Sequence, residues 1–180
     1  MRLYHAQVAA GDRKVALDDL RGWVAKHPKS PRARTQLATA LLDIGDNEGA
    51  KKEFEAIAQT APTDPVLMTN LAWAYFKAGD PRALTLAEDA LRLRPSDPAI
   101  SNTLGWILLQ QGDVARATEL LARAAKGLPN EPSVRYRYAS VLAKSGNRER
   151  ARAEVSSALS LDKPFPEREE AVALLQELKR

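Results

Sequence analysis

Five glycines fall on one ruler. Gly11, Gly45, Gly79, Gly112 and Gly146 are separated by steps of 34, 34, 33 and 34 residues. A fixed period of that length excludes a chain folded once around a single irregular core. Each period is instead one small supersecondary unit that buries its apolar face only by stacking on its neighbours. Other residues keep the same beat. Asp follows each of these glycines except Gly146, which Asn147 follows. Alanine stands a few residues on, at Ala16, Ala50, Ala83, Ala117 and Ala151. Proline closes each period at Pro28, Pro62, Pro95 and Pro129, and at Pro164 one place late. The stretch "LAWAYFKAGD" from Leu71 to Asp80 returns as "LGWILLQQGD" from Leu104 to Asp113.

Each recurring residue has a physical task. Glycine ends a helix because it enters a left-handed backbone without a Cβ clash. The Asp after it suits a turn or the start of the next helix. A small alanine lets two helices approach closely. The proline pairs in "PKSP", "PTDP", "PSDP" and "PNEP" stop one helix and open the next. Between these marks apolar residues recur at three and four, as in Leu104, Leu108 and Leu109. Each unit therefore predicts two antiparallel helices joined by a short turn.

This pattern resembles the tetratricopeptide repeat (TPR), a helix–turn–helix of 34 residues with Leu-Gly, an aromatic, Ala, Phe, Ala and Pro at set positions. The unit from Pro98 to Glu131 fits best, with Leu104, Gly105, Gly112, Ala117, Leu121, Ala124 and Pro129. Phe54 stands where the family prefers Phe, and Tyr75 fills the aromatic slot of a unit one residue short at its turn. The resemblance spans the whole chain and implies an all-α, right-handed superhelical TPR solenoid. One domain over 1–180 is expected, with units 1–30 (partial), 31–64, 65–97, 98–131 and 132–163, and a capping segment 164–180. That last segment predicts a helix from about Pro166 to Leu178. Ala171, Leu174 and Leu175 are expected to face the last repeat, and Glu167, Arg168 and Glu170 to face water. Its acidic first turn and basic last residues suit the helix dipole. At the other end the first helix lacks its opening turn, which implies preceding repeats and an uncapped edge suited to self-association.

The run "TLGWILLQQGD", the following "VRYRYASVLAKSGNRERARAEV" and the final "KPFPEREEAVALLQEL" are similar to the C-terminal end of bacterial TPR-repeat lipoproteins of exopolysaccharide and PEP-CTERM/exosortase loci. That likeness implies a periplasmic or outer-membrane-anchored parent; without it the chain reads as cytoplasmic.

The family pattern places variable, partner-facing residues on the first helix of each pair, which lines a concave groove. Here these are Asn70, Trp73, Phe76 and Lys77, then Asn102, Trp106 and Leu109, then Tyr136 and Arg137. Trp73 and Trp106 stand where the family usually has a polar residue, and the resemblance implies that they stack side by side. With Phe76, Leu109 and Tyr136 they are expected to form an apolar strip, flanked by Asn70, Asn102 and Arg137. Such a strip suits a partner peptide or helix: asparagines bond a backbone while aromatics hold apolar side chains. The alternative is that the indoles fill space between adjacent first helices. Trp23, on a second helix near the alanine slot, is expected in the core. The two-carboxylate clamp of some TPR domains is not expected, because Thr35, Thr39, Ala99 and Thr103 beside Asn70 carry no positive charge.

Other chemistry finds no residues. No cysteine is present, and both histidines, His5 and His27, lie in the first unit, so neither a metal set nor a catalytic triad is expected. The glycines mark turns and form no phosphate loop. No cofactor and no enzymatic activity are expected. No apolar run is long enough to span a bilayer. Net charge is +4. The basic residues thicken toward the end, but they fall on both helices of two units, interleaved with Glu149 and Glu154. That argues for a solvated, partly paired surface rather than a nucleic-acid face. Three functions stay open: a non-enzymatic protein-binding scaffold, in its sharper form an adaptor in bacterial exopolysaccharide or protein export; a structural or self-associating segment of a longer array; and nucleic-acid binding through the basic units.

Overall fold

Proline and an oxygen-bearing residue start the first helix of a pair, and glycine followed by Asp or Asn starts the second. The computed structural model describes residues 13–180. Among them lie ten α-helices and no strand: α1 Arg13–Lys26, α2 Pro31–Asp43, α3 Asn47–Ala58, α4 Pro65–Lys77, α5 Arg82–Leu93, α6 Pro98–Gln110, α7 Val114–Gly127, α8 Pro132–Lys144, α9 Arg148–Ser160 and α10 Arg168–Leu178. The expected all-α repeat fold is what is found. The expected turn at Gly11, and His5, lie outside the described residues.

Pro31, Pro65, Pro98 and Pro132 each open a helix, where the missing N–H costs nothing. Ser30, Asp64 and Asp97 cap three of these, accepting from Ala33 N at 3.3 Å, Val66 N at 2.9 Å and Ala99 N at 2.9 Å. At the second helices, Asp46, Asp113 and Asn147 accept from the backbone N–H of Gly49, Arg116 and Arg150. The turns before them hold Gly45, Gly79, Gly112 and Gly146 at φ of 82°, 71°, 90° and 83°. A Cβ on Gly112 would meet nothing within 4 Å. Gly112→Ala is therefore expected to cost about 1 kcal/mol from backbone strain alone, read as a lower urea midpoint with unchanged m-value.

The chain forms two compact units, Met1–Leu86 and Ala87–Arg180, divided within α5. In the first, α1 packs on α2, α2 on α3 and α3 on α4. In the second, α6 to α10 pack each on the next, and α8 also touches α6 and α10. One set of slots fills the core on α3, α7 and α9. Ala50, Phe54 and Ile57 on α3 are buried, as are Ala117, Leu121 and Ala124 on α7 and Ala151, Val155 and Ala158 on α9.

Trp23 departs from the expectation of a core role: it is 54% exposed. Its slot corresponds to Ile57, Ala90, Ala124 and Ala158, all buried. A slot that elsewhere takes mostly alanine does not admit an indole. α1 buries Ala16, Leu17, Leu20 and Val24 instead, and Trp23 stacks on His27 with ring centroids 4.1 Å apart.

Candidate functional site on the first helices

The sequence makes α6 apolar nearly all round, and this decides which side chains reach its surface. Ile100, Ser101, Thr103, Leu104, Ile107, Leu108 and Leu109 are all buried. What remains accessible beyond the first turn is a narrow row at four-residue spacing, Asn102, Trp106 and Gln110. Leu109 is 1% exposed and so is not part of an open strip, contrary to expectation. Rotation of roughly 60° from Trp106 around the helix takes it off the row. Asn102, one turn before Trp106, has a buried side-chain oxygen without a hydrogen-bond partner among the described residues.

On α8, Tyr136 and Ser140 are half-buried. The Tyr136 ring lies 6.0 Å from the Trp106 ring, centroid to centroid, tilted by 50°. Burial raises the Tyr136 phenol above its usual value. Arg137, expected to flank the strip, is 8% exposed and held in place. Its guanidinium carbon stands 5.3 Å from the Trp106 ring, within cation–π reach. Its Nη2 and Nε donate to Glu167 Oε1 at 2.8 and 3.2 Å. The Ser133 hydroxyl donates to Glu167 Oε2 at 2.7 Å.

Glu167 therefore does not face water as expected; it ties α8 to the segment that begins α10. Burial alone pushes its carboxyl up. The Arg137 charge and the hydrogen bonds from Arg137 and Ser133 outweigh that and hold it below the ordinary carboxylate range. α10 begins at Arg168 rather than Pro166, and Lys179 lies past its end, so its last turn carries no basic residue. Phe165, just ahead of Glu167, is buried, and Lys163 Nζ donates to both Glu131 carboxylate oxygens at 2.6 Å.

Trp73 belongs to the first compact unit and has its own aromatic neighbour. Its ring lies 5.4 Å from that of Phe76, and Lys77 Nζ is 6.0 Å from its centroid. Asn70, Trp73 and Phe76 are half-buried and Lys77 is exposed. Thr69 turns inward and donates to the Pro65 carbonyl at 2.6 Å. Sequence reasoning missed Ser133 and Glu167. Glu167 directly follows Pro166 at the start of a helix, but its carboxylate makes no cap bond there and turns to Arg137 and Ser133 instead.

The chain matches the tetratricopeptide repeat family in two profiles, one over residues 7–66 and 108–178 and another over 69–132. No curated protein matches it. Among solved structures it is similar to TTC0263, a thermophilic TPR protein of Thermus thermophilus, at 22% identity and a TM-score of 0.79, covering 97% of this chain and 96% of that one. It is similar to PilW, a type IV pilus biogenesis factor, at 16% identity and a TM-score of 0.74, covering 99% and 88%. YrrB, a TPR protein with an unusual peptide-binding site, gives 17% identity and a TM-score of 0.60, covering 99% and 90%. At these identities the likeness is one of fold. Among the described residues no helix is long and apolar enough to cross a membrane.

Proposed function

The chain belongs to the tetratricopeptide repeat family, and from that premise we propose that it is a non-enzymatic protein-binding scaffold that takes a partner peptide or helix on its first helices. The observation that carries this reading is the Trp106 group. A half-buried indole is braced by Tyr136 and by an arginine that Glu167 already fixes. Rigid aromatic surface of this kind binds without a large ordering cost. Asn102 lies one turn before Trp106 on the same accessible row of α6. Trp73 and Phe76 offer a second aromatic pair in the first unit.

The test is selection of binders from a displayed random-peptide library, with the wild type and Trp73→Ala/Trp106→Ala as separate baits. Losing an aromatic anchor typically costs about 2 kcal/mol, roughly thirtyfold in affinity. Wild-type peptides are expected to lose at least that much on the double variant, while its far-ultraviolet circular dichroism stays the same. Equal binding by both proteins rejects the first-helix surface. The narrower reading, an adaptor in bacterial exopolysaccharide or protein export, rests on the Lys163–Phe165 junction and α10. It predicts that selected peptides match a component of that machinery.

A further inference from the structure

A ladder of ion pairs links successive second helices, and its third rung is missing its acids. On α5, Arg82 Nη2 reaches Glu55 of α3 at 2.9 Å and its own cap residue Asp80 at 2.7 Å. On α7, Arg116 reaches Glu88 of α5 at 2.9 Å and its cap Asp113 at 2.6 Å. The equivalent arginine on α9 is Arg150. The repeat register puts Ala122 where Glu55 and Glu88 stand, and Asn147 where Asp80 and Asp113 stand. Both carboxylates are gone and the arginine is kept. Arg150 makes no ion pair among the described residues; it lies over the Tyr138 ring at 5.3 Å. Glu154, one turn along α9, is held by Arg135 at 2.7 Å.

This rung opens on a cleft of about 430 Å³ lined by Arg123, Lys126, Arg135, Tyr138, Arg150 and Glu154. Of its four cations only Arg135 has a carboxylate among the described residues. Arg123 spends one N–H on the Pro95 carbonyl, which leaves its charge unmatched. Three cations thus converge on a recess whose sister rungs each contain two carboxylates. Tyr136 and Tyr138 are two residues apart on α8, so the cleft opens on roughly the opposite side of that helix from Trp106.

We propose that this cleft docks an acidic peptide segment of a partner protein, one of whose carboxylates takes the place of the absent glutamate opposite Arg150. The two intact rungs carry the choice of occupant, since they present a carboxylate to the same guanidinium in the same register. Stacked bases find no platform here, because Tyr138 is buried and already covered by Arg150. The site is independent of the Trp106 surface.

The test titrates capped hexaglutamate, with capped hexaglutamine, inorganic phosphate and oligothymidylate as comparators, at low ionic strength by calorimetry. Four folded variants accompany the wild type. Ala122→Glu rebuilds the rung internally and Arg150→Gln removes its cation. Lys52→Gln makes the same charge change on exposed surface elsewhere, and Trp106→Ala alters only the other site. Hexaglutamate is expected to bind while hexaglutamine does not. Ala122→Glu and Arg150→Gln are each expected to weaken hexaglutamate roughly tenfold or more. Lys52→Gln and Trp106→Ala should change it by less than about twofold. The proposal is overturned if Ala122→Glu binds hexaglutamate like the wild type, or if Lys52→Gln weakens it as much as Arg150→Gln. It is equally overturned if only phosphate or oligothymidylate binds in a manner that Ala122→Glu abolishes.

Discussion

Replacing Glu167 with alanine is expected to destabilise the chain by about 2–4 kcal/mol and to loosen α10 from α8. The variant leaves the Arg137 guanidinium in a buried position with its carboxylate removed, and a buried charge without its partner costs more than the pair contributed. The full cost of such a change is discounted here because the two side chains keep 9% and 17% of their exposure. Ser133 also loses its acceptor. Two companions separate this mechanism from simple loss of packing. Glu167→Gln keeps one oxygen to accept from Arg137, while its NH2 can donate to the Ser133 hydroxyl oxygen, and should cost less. Glu167→Ala/Arg137→Met removes both charges and should recover most of the loss, giving a clear coupling in a double-mutant cycle. Acid acts in the same direction. The Glu167 carboxyl sits below its ordinary value, so its contribution is complete above the unfolded value near 4.3 and fades as pH falls through the folded value. Glu167→Ala should therefore flatten stability against pH in that window. Chemical denaturation that finds less than about 0.5 kcal/mol between wild type and Glu167→Ala removes this pair from any role in holding α10.

That pair also shows where the sequence stopped being legible. Everything governed by the period could be read in advance: the Pro-opened first helices, the Gly turns, the alanine slots, and an all-α array. These are contacts that recur between equivalent elements, so five copies of the pattern reinforce one another. The α8–α10 contact takes the place of the α6–α8 contact between successive first helices, but the Ser133–Glu167–Arg137 group within it is not repeated there. Nothing in the register announced that Glu167 would turn inward to Arg137 rather than face water. Leu109 failed for a different reason. A family position marks a partner-facing slot on an average repeat, but α6 is apolar on almost every side and leaves only the row through Asn102, Trp106 and Gln110. Trp23 departs because register specifies position and not volume: its slot holds Ala90, Ala124 and Ala158, and at its largest Ile57. The aromatic contacts of Trp73 and Trp106 depend on rotamers, which periodicity does not specify.

Volume decides the last prediction as well. Leu121, fully buried on α7, stands against Gly105 of α6. A Cβ added at Gly105 would lie 2.9 Å from Leu121 Cγ and 3.1 Å from Leu120 Cβ. Leu121→Ala alone is expected to cost about 2–5 kcal/mol, the usual range for emptying a buried leucine site. Gly105→Ala alone gains about 1 kcal/mol of helix propensity but drives a methyl into a side chain that has no room to move. Its net effect is expected to be a loss of about 1–2 kcal/mol. The slot itself does not forbid alanine, since Ala38, Ala72 and Ala139 occupy it, fully buried, in the other units. What forbids it is that α6 and α7 have closed on a glycine with leucine opposite. In the Leu121→Ala background the contacts to Leu121 Cγ at 2.9 Å and Cδ2 at 3.1 Å are gone; the Leu120 Cβ contact at 3.1 Å stays and is relieved by a small shift of the added methyl into the space the leucine left. Gly105→Ala should then change sign, destabilising the wild type and stabilising Leu121→Ala by about 1 kcal/mol. Urea denaturation of the four proteins measures both signs directly. If Gly105→Ala costs the same in both backgrounds, the close approach of α6 and α7 is set by something other than this leucine.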